Sequence, residues 1–281
     1  MGDKVVIDEQ VFTNIADAIR DKNGTEETYK PREMAAAISD IETGGGGDEP
    51  EPTDGKTHIW IYIDPVTPAN RLTFPLYFGQ SKANGVTVDW GDGSATETFS
   101  GTSATVHNHT YATGGDYEIT LEVTNGTLNL TGTSGSTGYA IYGLKASSNS
   151  YNRSRIKRVH IGDGVASIGF GVFYYCYALT SVTIPNGVTS IGGSTFSYCY
   201  SLTSVTIPNG VTVIDASAFS SCYGIAEYHL LPTTPPTLSN TNAFNGIATD
   251  CIIYVPVGSL EAYQTATNWS TYASHMQEEP A

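Results

Sequence analysis

A repeat of 23 residues constrains the fold of this 281-residue chain more than any other feature of its sequence. Three consecutive units begin at Ile156, Leu179 and Leu202, and they read IKRVHIGDGVASIGFGVFYYCYA, LTSVTIPNGVTSIGGSTFSYCYS and LTSVTIPNGVTVIDASAFSSCYG. A fourth unit, from Ile225, is degenerate because Phe244 stands two positions later than the phenylalanine of the other units. A constant period of roughly 20 to 30 residues is the sequence pattern of a solenoid, in which neighbouring units stack on one another.

Each unit carries the apolar positions that a stacked repeat needs. In the second unit, Val182 and Ile184 alternate along a short strand that a Pro-Asn-Gly turn ends. Three further apolar residues follow at positions that we expect to point inward: Val188, Ile191 and Phe196. One unit cannot bury these side chains alone, whereas strands stacked about 4.8 Å apart can. Residues 156–250 are therefore predicted to form a solenoid, and residues 251–281 a strand and a helix that cap its apolar end.

Residues 56–127 are predicted to form a small β-sandwich. Segments such as HIWIYI and GVTVDW alternate apolar and polar residues, and turn sequences such as GDG and GG separate the segments. Several short strands with turns at this spacing are typical of two packed antiparallel sheets. The Gly- and Ser-rich residues 128–155 are then expected to form a connector that caps the first repeat.

Residues 1–43 are predicted to form two short amphipathic helices, because their apolar residues recur at helical spacing. Two short helices bury little surface alone, so we expect this segment to dock to a partner or to oligomerise, with an N-terminal cap on the next domain as the alternative. Residues 44–55 form a linker, since Gly gives flexibility while Pro and acidic residues resist packing. The candidate anchor residues are Phe12, Ile15, Ile19, Met34, Ile38 and Ile41.

The charge distribution argues against two classes of partner. The formal net charge is −15, and no Lys or Arg follows Arg158. A surface that binds nucleic acid or an anionic membrane needs cations to neutralise phosphates, so we expect neither partner for the C-terminal half. Membrane insertion is not expected because no segment has the length and apolarity of a membrane span. The N-terminus also lacks the apolar core of a signal peptide.

The sequence carries no recognisable catalytic or cofactor-binding motif. It has no nucleophile elbow, phosphate-binding glycine loop or HExxH helix. Two pairs of residues could face a metal ion, His107 with His109 and Asp89 with Asp92, but structural roles in the sandwich and its turn are the simpler interpretation. We therefore predict that the protein is not an enzyme and that it uses no cofactor or metal.

Stacked units would align tyrosines and cysteines in rows. Tyr200 has equivalents at 177 and 223, and Tyr198 has one at 175. Exposed aromatic rows can bind sugars or a protein partner, whereas the alternative is ordinary packing at the edge of the core. The candidate ligand-binding face comprises Tyr174, Tyr175, Tyr177, Tyr198, Tyr200 and Tyr223. The residues predicted to be buried and structural are Cys176, Cys199, Cys222 and Trp90.

Three segments resemble known families. The units with LTSVTIPNGVTSIG, followed by Phe and Cys, resemble the BspA-like leucine-rich repeats of bacterial surface proteins over roughly residues 156–272. The block VTVDWGDGSATETF with HTYATGGDYEITLEV resembles a PKD-type, Ig-like domain, in which Trp90 and His109 stand at marker positions. The segments NIADAIRDKNG and YKPREMAAAISDI are similar to the N-termini of phage tail and fibre proteins.

Together these resemblances imply a mainly β chain with a short helical N-terminal segment, an Ig-like (PKD-type) β-sandwich, and a leucine-rich-repeat solenoid with a C-terminal cap. The order of anchor, spacer and tip, with no signal peptide, leads us to expect a non-enzymatic phage virion protein. It would be a tail-fibre, head-fibre or similar structural component, located on the virion and extracellular after lysis.

The expected partners follow from that order of domains. The N-terminal segment would bind other virion proteins, and the solenoid would bind a bacterial surface glycan or protein during host attachment. The sequence also leaves open whether the protein assembles as a homo-oligomer. The alternatives are a BspA-type adhesin on the bacterial cell surface, or a structural or decoration spacer protein without a specific ligand.

Overall fold

The computed structural model describes residues 51–63, 72–130 and 155–280. This part of the chain is mainly β, as the sequence predicts, and its strands belong to three sheets. The predicted helices of residues 1–43, with all six candidate anchor residues, lie outside the described residues, as does most of the predicted connector. None of the helices in the described ranges has the length and apolarity to span a membrane.

The first seven strands lie in the region predicted as a sandwich and its connector. Antiparallel pairing joins β1 to β6, β6 to β3 and β3 to β4, while β2 pairs with β5 and β7. Alternate side chains of β1, such as Ile59 and Ile61, are buried, as are Phe74 and Leu76 of β2. The strands are β1 (Thr57–Ile63), β2 (Thr73–Gln80), β3 (Val86–Asp89), β4 (Glu97–Thr98), β5 (Thr105–Thr110), β6 (Gly115–Val123) and β7 (Leu128–Leu130).

The repeat units contribute two sets of short strands, whose neighbouring members pair in parallel except for β10 and β12, which belong to different sheets. Val182 lies opposite Val159, and Ile191 lies opposite Ile168, so the partners are 23 residues apart. The period of the sequence is therefore the period of the strand pairing. One set is β8 (Ile156–His160), β10 (Ser181–Thr183), β12 (Ser204–Ile207), β14 (Glu227–Leu230) and β16 (Ile252–Val255). The other is β9 (Val165–Ile168), β11 (Ser190–Ile191), β13 (Val213–Ile214) and β15 (Thr237–Leu238).

A ladder of four buried phenylalanines runs through the stacked units. The rings of Phe173, Phe196, Phe219 and Phe244 stack at 5.2, 5.2 and 5.4 Å between centroids. The fourth unit contains two extra residues before Phe244, and they are inserted at two different places. Phe244 therefore still stacks in the ladder. Thr237 pairs with Val213, 24 residues earlier, so one residue is added before β15. The second is added between β15 and Phe244.

Both sheets of the predicted sandwich continue into the repeats. β1 pairs antiparallel with β8, and β7 pairs antiparallel with β2 and parallel with β9. The Arg158 guanidinium lies 4.4 Å from the Trp60 ring centroid, and Arg155 donates a hydrogen bond of 3.0 Å to the Thr73 carbonyl. Leu128–Leu130, predicted as connector, is thus a strand that bridges the two regions. Residues 52–281 accordingly form one compact unit.

The C-terminal residues cover the last unit. After β16 come α1 (Leu260–Thr265), a 3-10 helix (Trp269–His275) and β17 (Met276–Glu278), which pairs in parallel with β16. The cap therefore contains one strand more than the predicted strand and helix. The Trp269 indole donates to the Pro236 carbonyl at 2.7 Å, and the Tyr263 hydroxyl donates to the Pro232 carbonyl at 2.7 Å. These bonds satisfy loop carbonyls of the fourth unit, where the Phe ladder ends.

Candidate ligand-binding surface

The predicted tyrosines lie on the arc that follows the second strand of each unit. Backbone hydrogen bonds tie equivalent arcs together, because the Tyr175 amide donates to the Ser197 carbonyl and the Tyr198 amide to the Ser220 carbonyl, both at 2.9 Å. Phe173 donates likewise to the Thr195 carbonyl at 2.8 Å. Since the arcs are bonded unit to unit, side chains at one repeat position form a row.

The inner tyrosine row consists of Tyr175 and Tyr198. Their rings are parallel within 4° and their centroids are 4.2 Å apart. The Tyr174 ring meets both edge-on, at 4.5 and 5.6 Å. All three side chains are half-buried. The inner row therefore packs with Tyr174 as a half-buried cluster of three rings.

The outer row contains Tyr200 and Tyr223, with the half-buried Tyr177 at the equivalent position of the first unit. Tyr200 and Tyr223 are 42% and 57% exposed, and their rings are parallel within 6° at 5.8 Å. Tyr198 meets Tyr200 edge-on at 6.1 Å, which joins the two rows. The Tyr223 ring also rests over Gly246, where a Cβ atom would come within 3.0 Å of its Cε1 atom.

The inner row occupies a strained backbone position. Tyr175 and Tyr198 have φ angles of 62° and 64°, and the equivalent Ser221 has 61°. In the fourth unit the equivalent residue is Gly246, with φ of 79°. A left-handed conformation costs a residue other than glycine about 1 kcal/mol or more. The turn itself would be satisfied by glycine in every unit, so it does not require the two tyrosine rings.

The phenol groups of the two rows influence one another's ionisation. Burial raises the pKa of Tyr200, and the neighbouring Tyr175, Tyr223 and Tyr198 raise it further. The Tyr200 hydroxyl therefore stays protonated well above neutral pH. The Tyr223 hydroxyl donates a hydrogen bond of 3.2 Å to the Ser221 hydroxyl. Because a phenol both donates and accepts, the surface offers uncharged hydrogen-bonding groups of both kinds.

The aligned cysteines are buried beneath this arc. The Cys199 thiol donates to the Phe173 carbonyl at 3.2 Å, and the Cys222 thiol donates to the Phe196 carbonyl at 3.0 Å. Burial raises the pKa of Cys199 well above its usual value and that of Cys222 to about 12. They are thus neutral thiols that satisfy core carbonyls, and the buried Cys176 completes the row.

The marker residues of the predicted sandwich also form a packed cluster. Trp90 is buried, His109 stacks on it at 4.8 Å, and the Tyr111 hydroxyl donates to the Trp90 carbonyl at 3.0 Å. His109 is also 2.7 Å from a carboxylate oxygen of Asp92, whereas His107 lies against aromatic rings. The two histidines thus have separate packing roles. In the described part of the chain, no group of three His, Cys, Asp or Glu residues is arranged to hold a metal.

An open groove of about 510 Å³ is a feature that sequence reasoning missed. Phe170, which is 40% exposed, lies at its edge, and the small residues Gly193 and Ala216 lie at the equivalent positions of the next units. Asp215 also lines the groove and accepts a hydrogen bond of 2.5 Å from Ser239. The sequence contained one feature from which the groove could have been predicted. Phe170 is a large residue at a repeat position where the next units carry Gly and Ala.

Comparison with known families identifies the repeats. The family described as BspA type leucine rich repeat region matches residues 145–258 in six copies. This match supports leucine-rich repeats over residues 145–258. No curated protein matches it.

Solved structures of leucine-rich-repeat proteins are also similar to the chain. A T. pallidum leucine rich repeat protein is 28% identical with a TM-score of 0.33, over 36% of this chain and 47% of that protein. A Bacteroides ovatus leucine-rich repeat protein is 25% identical with a TM-score of 0.29, over 35% and 32%. A leucine rich cell surface protein from Faecalibacterium prausnitzii is 17% identical with a TM-score of 0.19, over 47% and 62%. The chain thus spans less than half the length of the first two proteins.

Proposed function

We propose that this protein is a non-enzymatic attachment protein whose tyrosine rows bind a bacterial surface. The observation that carries the proposal is the exposure of two aligned rings, Tyr200 and Tyr223, at 42% and 57%. Exposed aromatic groups of this kind are enriched at binding sites because one side chain offers both apolar area and a hydroxyl. The match to BspA-type repeats supports a surface-exposed, adhesive role.

The inner row mainly packs, and the outer row mainly binds. The inner row is half-buried and stacked at 4.2 Å, so its rings mainly support the surface. The outer row is more exposed and sits on that support, so its rings are held in place before any ligand arrives. Such preorganisation lowers the entropic cost of binding because few side-chain rotamers are lost.

We further propose that the protein is a component of a phage virion, such as a tail or head fibre. Residues 1–43 would attach it to other virion proteins, the region of β1 to β6 would serve as a PKD-type spacer, and the repeats would form a solenoid tip. A BspA-type adhesin on a bacterial cell is the alternative, and the family match supports it. A spacer protein without a ligand is the third hypothesis.

The binding proposal is tested with the full-length chain and intact bacteria. Dividing the chain at residue 128 would separate paired strands, since β7 bonds to β2 on one side and β9 on the other. We expect saturable binding of labelled protein that the double variant Tyr200→Ser, Tyr223→Ser loses. The matched control is Tyr62→Ser, which removes a 37% exposed tyrosine on β1. Equal binding by all three proteins would contradict the proposal.

The virion proposal is tested by deleting residues 1–43. We expect the deletion to abolish incorporation into phage particles while binding to cells is kept. Incorporation of the shortened protein would contradict an anchor in this segment. Recovery of the full-length protein in the bacterial envelope instead of in particles would favour the adhesin.

A further inference from the structure

We propose that the outer tyrosine row recognises an extended, uncharged, β-1,4-linked pyranose chain that lies along the axis of the stacked units, with one sugar per unit. The inference rests on the proposed attachment function and names the ligand class of the same surface. It is carried by three properties of the surface, which are its period, the direction of its rings and its charge.

The period favours a polymer of identical sugars. Equivalent side chains recur at 5.2 to 5.4 Å in the phenylalanine ladder and at 5.8 Å between Tyr200 and Tyr223. An extended β-1,4-linked chain of glucose-type pyranoses is straight and advances by nearly this distance per sugar, so one sugar can lie at each unit. Successive sugars are turned over, so the same sugar face recurs at every second unit. An α-1,4-linked chain coils and leaves a straight row after a short distance.

The direction of the rings determines the kind of contact. Tyr200 and Tyr223 are parallel within 6° with their centroids 5.8 Å apart, so the two rings have the same orientation toward a ligand that lies along the row. Because both rings are exposed, a ligand that lies along the row can contact each of them and its phenol hydroxyl. Phenols donate and accept hydrogen bonds, as sugar hydroxyls do, so the two sets of groups are complementary.

The charge of the surface excludes polyanionic polymers. No Lys or Arg occurs after Arg158, so the repeat units 179–250 have no Lys or Arg to pair with phosphate or carboxylate groups of a ligand. The six members of the candidate face are all tyrosines, which are uncharged at neutral pH. A neutral glycan loses no ion hydration on binding to such a surface, whereas a charged one would.

The first experiment measures affinity against ligand length. We expect calorimetric titration of the full-length chain with β-1,4-linked N-acetylglucosamine oligomers to give tighter binding from two sugars to three, and little gain beyond. The reason is that the outer row, Tyr177, Tyr200 and Tyr223, spans three units. Maltotetraose is the control ligand, because it has the same number of sugars as the N-acetylglucosamine tetrasaccharide but α-1,4 links, and we expect no binding.

The second experiment separates hydroxyl contacts from ring contacts. Tyr200→Phe and Tyr223→Phe keep the ring and remove the hydroxyl, so we expect each to weaken the tetrasaccharide about two- to tenfold, the effect of one hydrogen bond. Tyr62→Phe is the matched control and should bind as the unaltered protein does. If both phenylalanine variants bind with unchanged affinity, the tyrosine hydroxyls do not contact the sugar and this part of the proposal is wrong.

The outcomes also distinguish this inference from the proposed function. If the oligomers do not bind but intact bacteria do, the inference is wrong while attachment stands, with a protein or another glycan as the ligand. If neither oligomers nor bacteria bind, both fail. Equal affinity for the β- and α-linked tetrasaccharides would overturn the argument from the period.

Discussion

Replacing Phe196 by alanine tests whether the phenylalanine ladder holds the stacked units together. The Phe196 ring is fully buried and stacks on Phe173 and Phe219, each at 5.2 Å. Truncation of a buried Phe to Ala costs about 3 to 5 kcal/mol. Phe196 also loses two aromatic neighbours, and each stacked pair contributes roughly 0.5 to 1.5 kcal/mol beyond its buried area. We therefore expect a loss at the upper end of that range, about 4 to 5 kcal/mol.

The assay is urea unfolding of the full-length chain followed by circular dichroism, with thermal melting as a second readout. For a domain of this size, a loss of 4 kcal/mol corresponds to a melting temperature lower by about 8 to 16 °C. Phe196→Leu, which keeps most of the volume, should cost only about 1 kcal/mol. Phe170→Ala is the matched surface control, because that ring is 40% exposed. A loss for Phe196→Ala no larger than for Phe170→Ala would refute the continuous ladder.

Three further predictions concern the turn, the sandwich cluster and the cap. Gly246→Ala should lower the free energy of unfolding by about 1 kcal/mol in urea unfolding and weaken binding to bacteria, because its φ is 79° and its Cβ would displace the Tyr223 ring. Although burial acts to raise the pKa of Asp92, hydrogen bonds from Ser94 and His109 outweigh it and lower that pKa to about 2. A lowered folded-state pKa stabilises above the unfolded value of 3.8, and solvent screens the carboxylate of this exposed residue, so about 1 kcal/mol should be lost in unfolding measurements as the pH falls from 4 to 2, and Asp92→Asn should lack this loss. Trp269→Phe should cost about 1 to 3 kcal/mol in urea unfolding, since it leaves a buried carbonyl without its 2.7 Å hydrogen bond.

Each of these predictions has a result that contradicts it. Gly246→Ala with unchanged stability would mean that the turn tolerates a side chain at a left-handed position. A pH profile of Asp92→Asn that parallels the original protein would assign the acid sensitivity to other carboxylates. A fully stable Trp269→Phe would mean that water replaces the indole as donor at the cap.

The period of the sequence determined the pairing within the repeats. Identical units can bury their apolar faces only against one another, so equivalent residues such as Val159 and Val182 must be neighbours. The same argument aligns the phenylalanine, cysteine and tyrosine rows from their spacing alone. The spacing also shows that the fourth phenylalanine is displaced. It does not predict that Phe244 still stacks in the ladder because the two extra residues are inserted at separate places.

Only the tertiary structure decided how the repeats join the preceding strands and which tyrosines are exposed. The pairing of β1 with β8 links residues about 100 positions apart, and no local pattern specifies such a contact. All six tyrosines look alike in the sequence, yet Tyr175 and Tyr198 stack at 4.2 Å while Tyr200 and Tyr223 are largely exposed. The repeat period determines which side chains share a row, because identical units stack in one register. How far the rings of each row are buried depends on backbone geometry and on the neighbouring units. Only the stacked structure defines both.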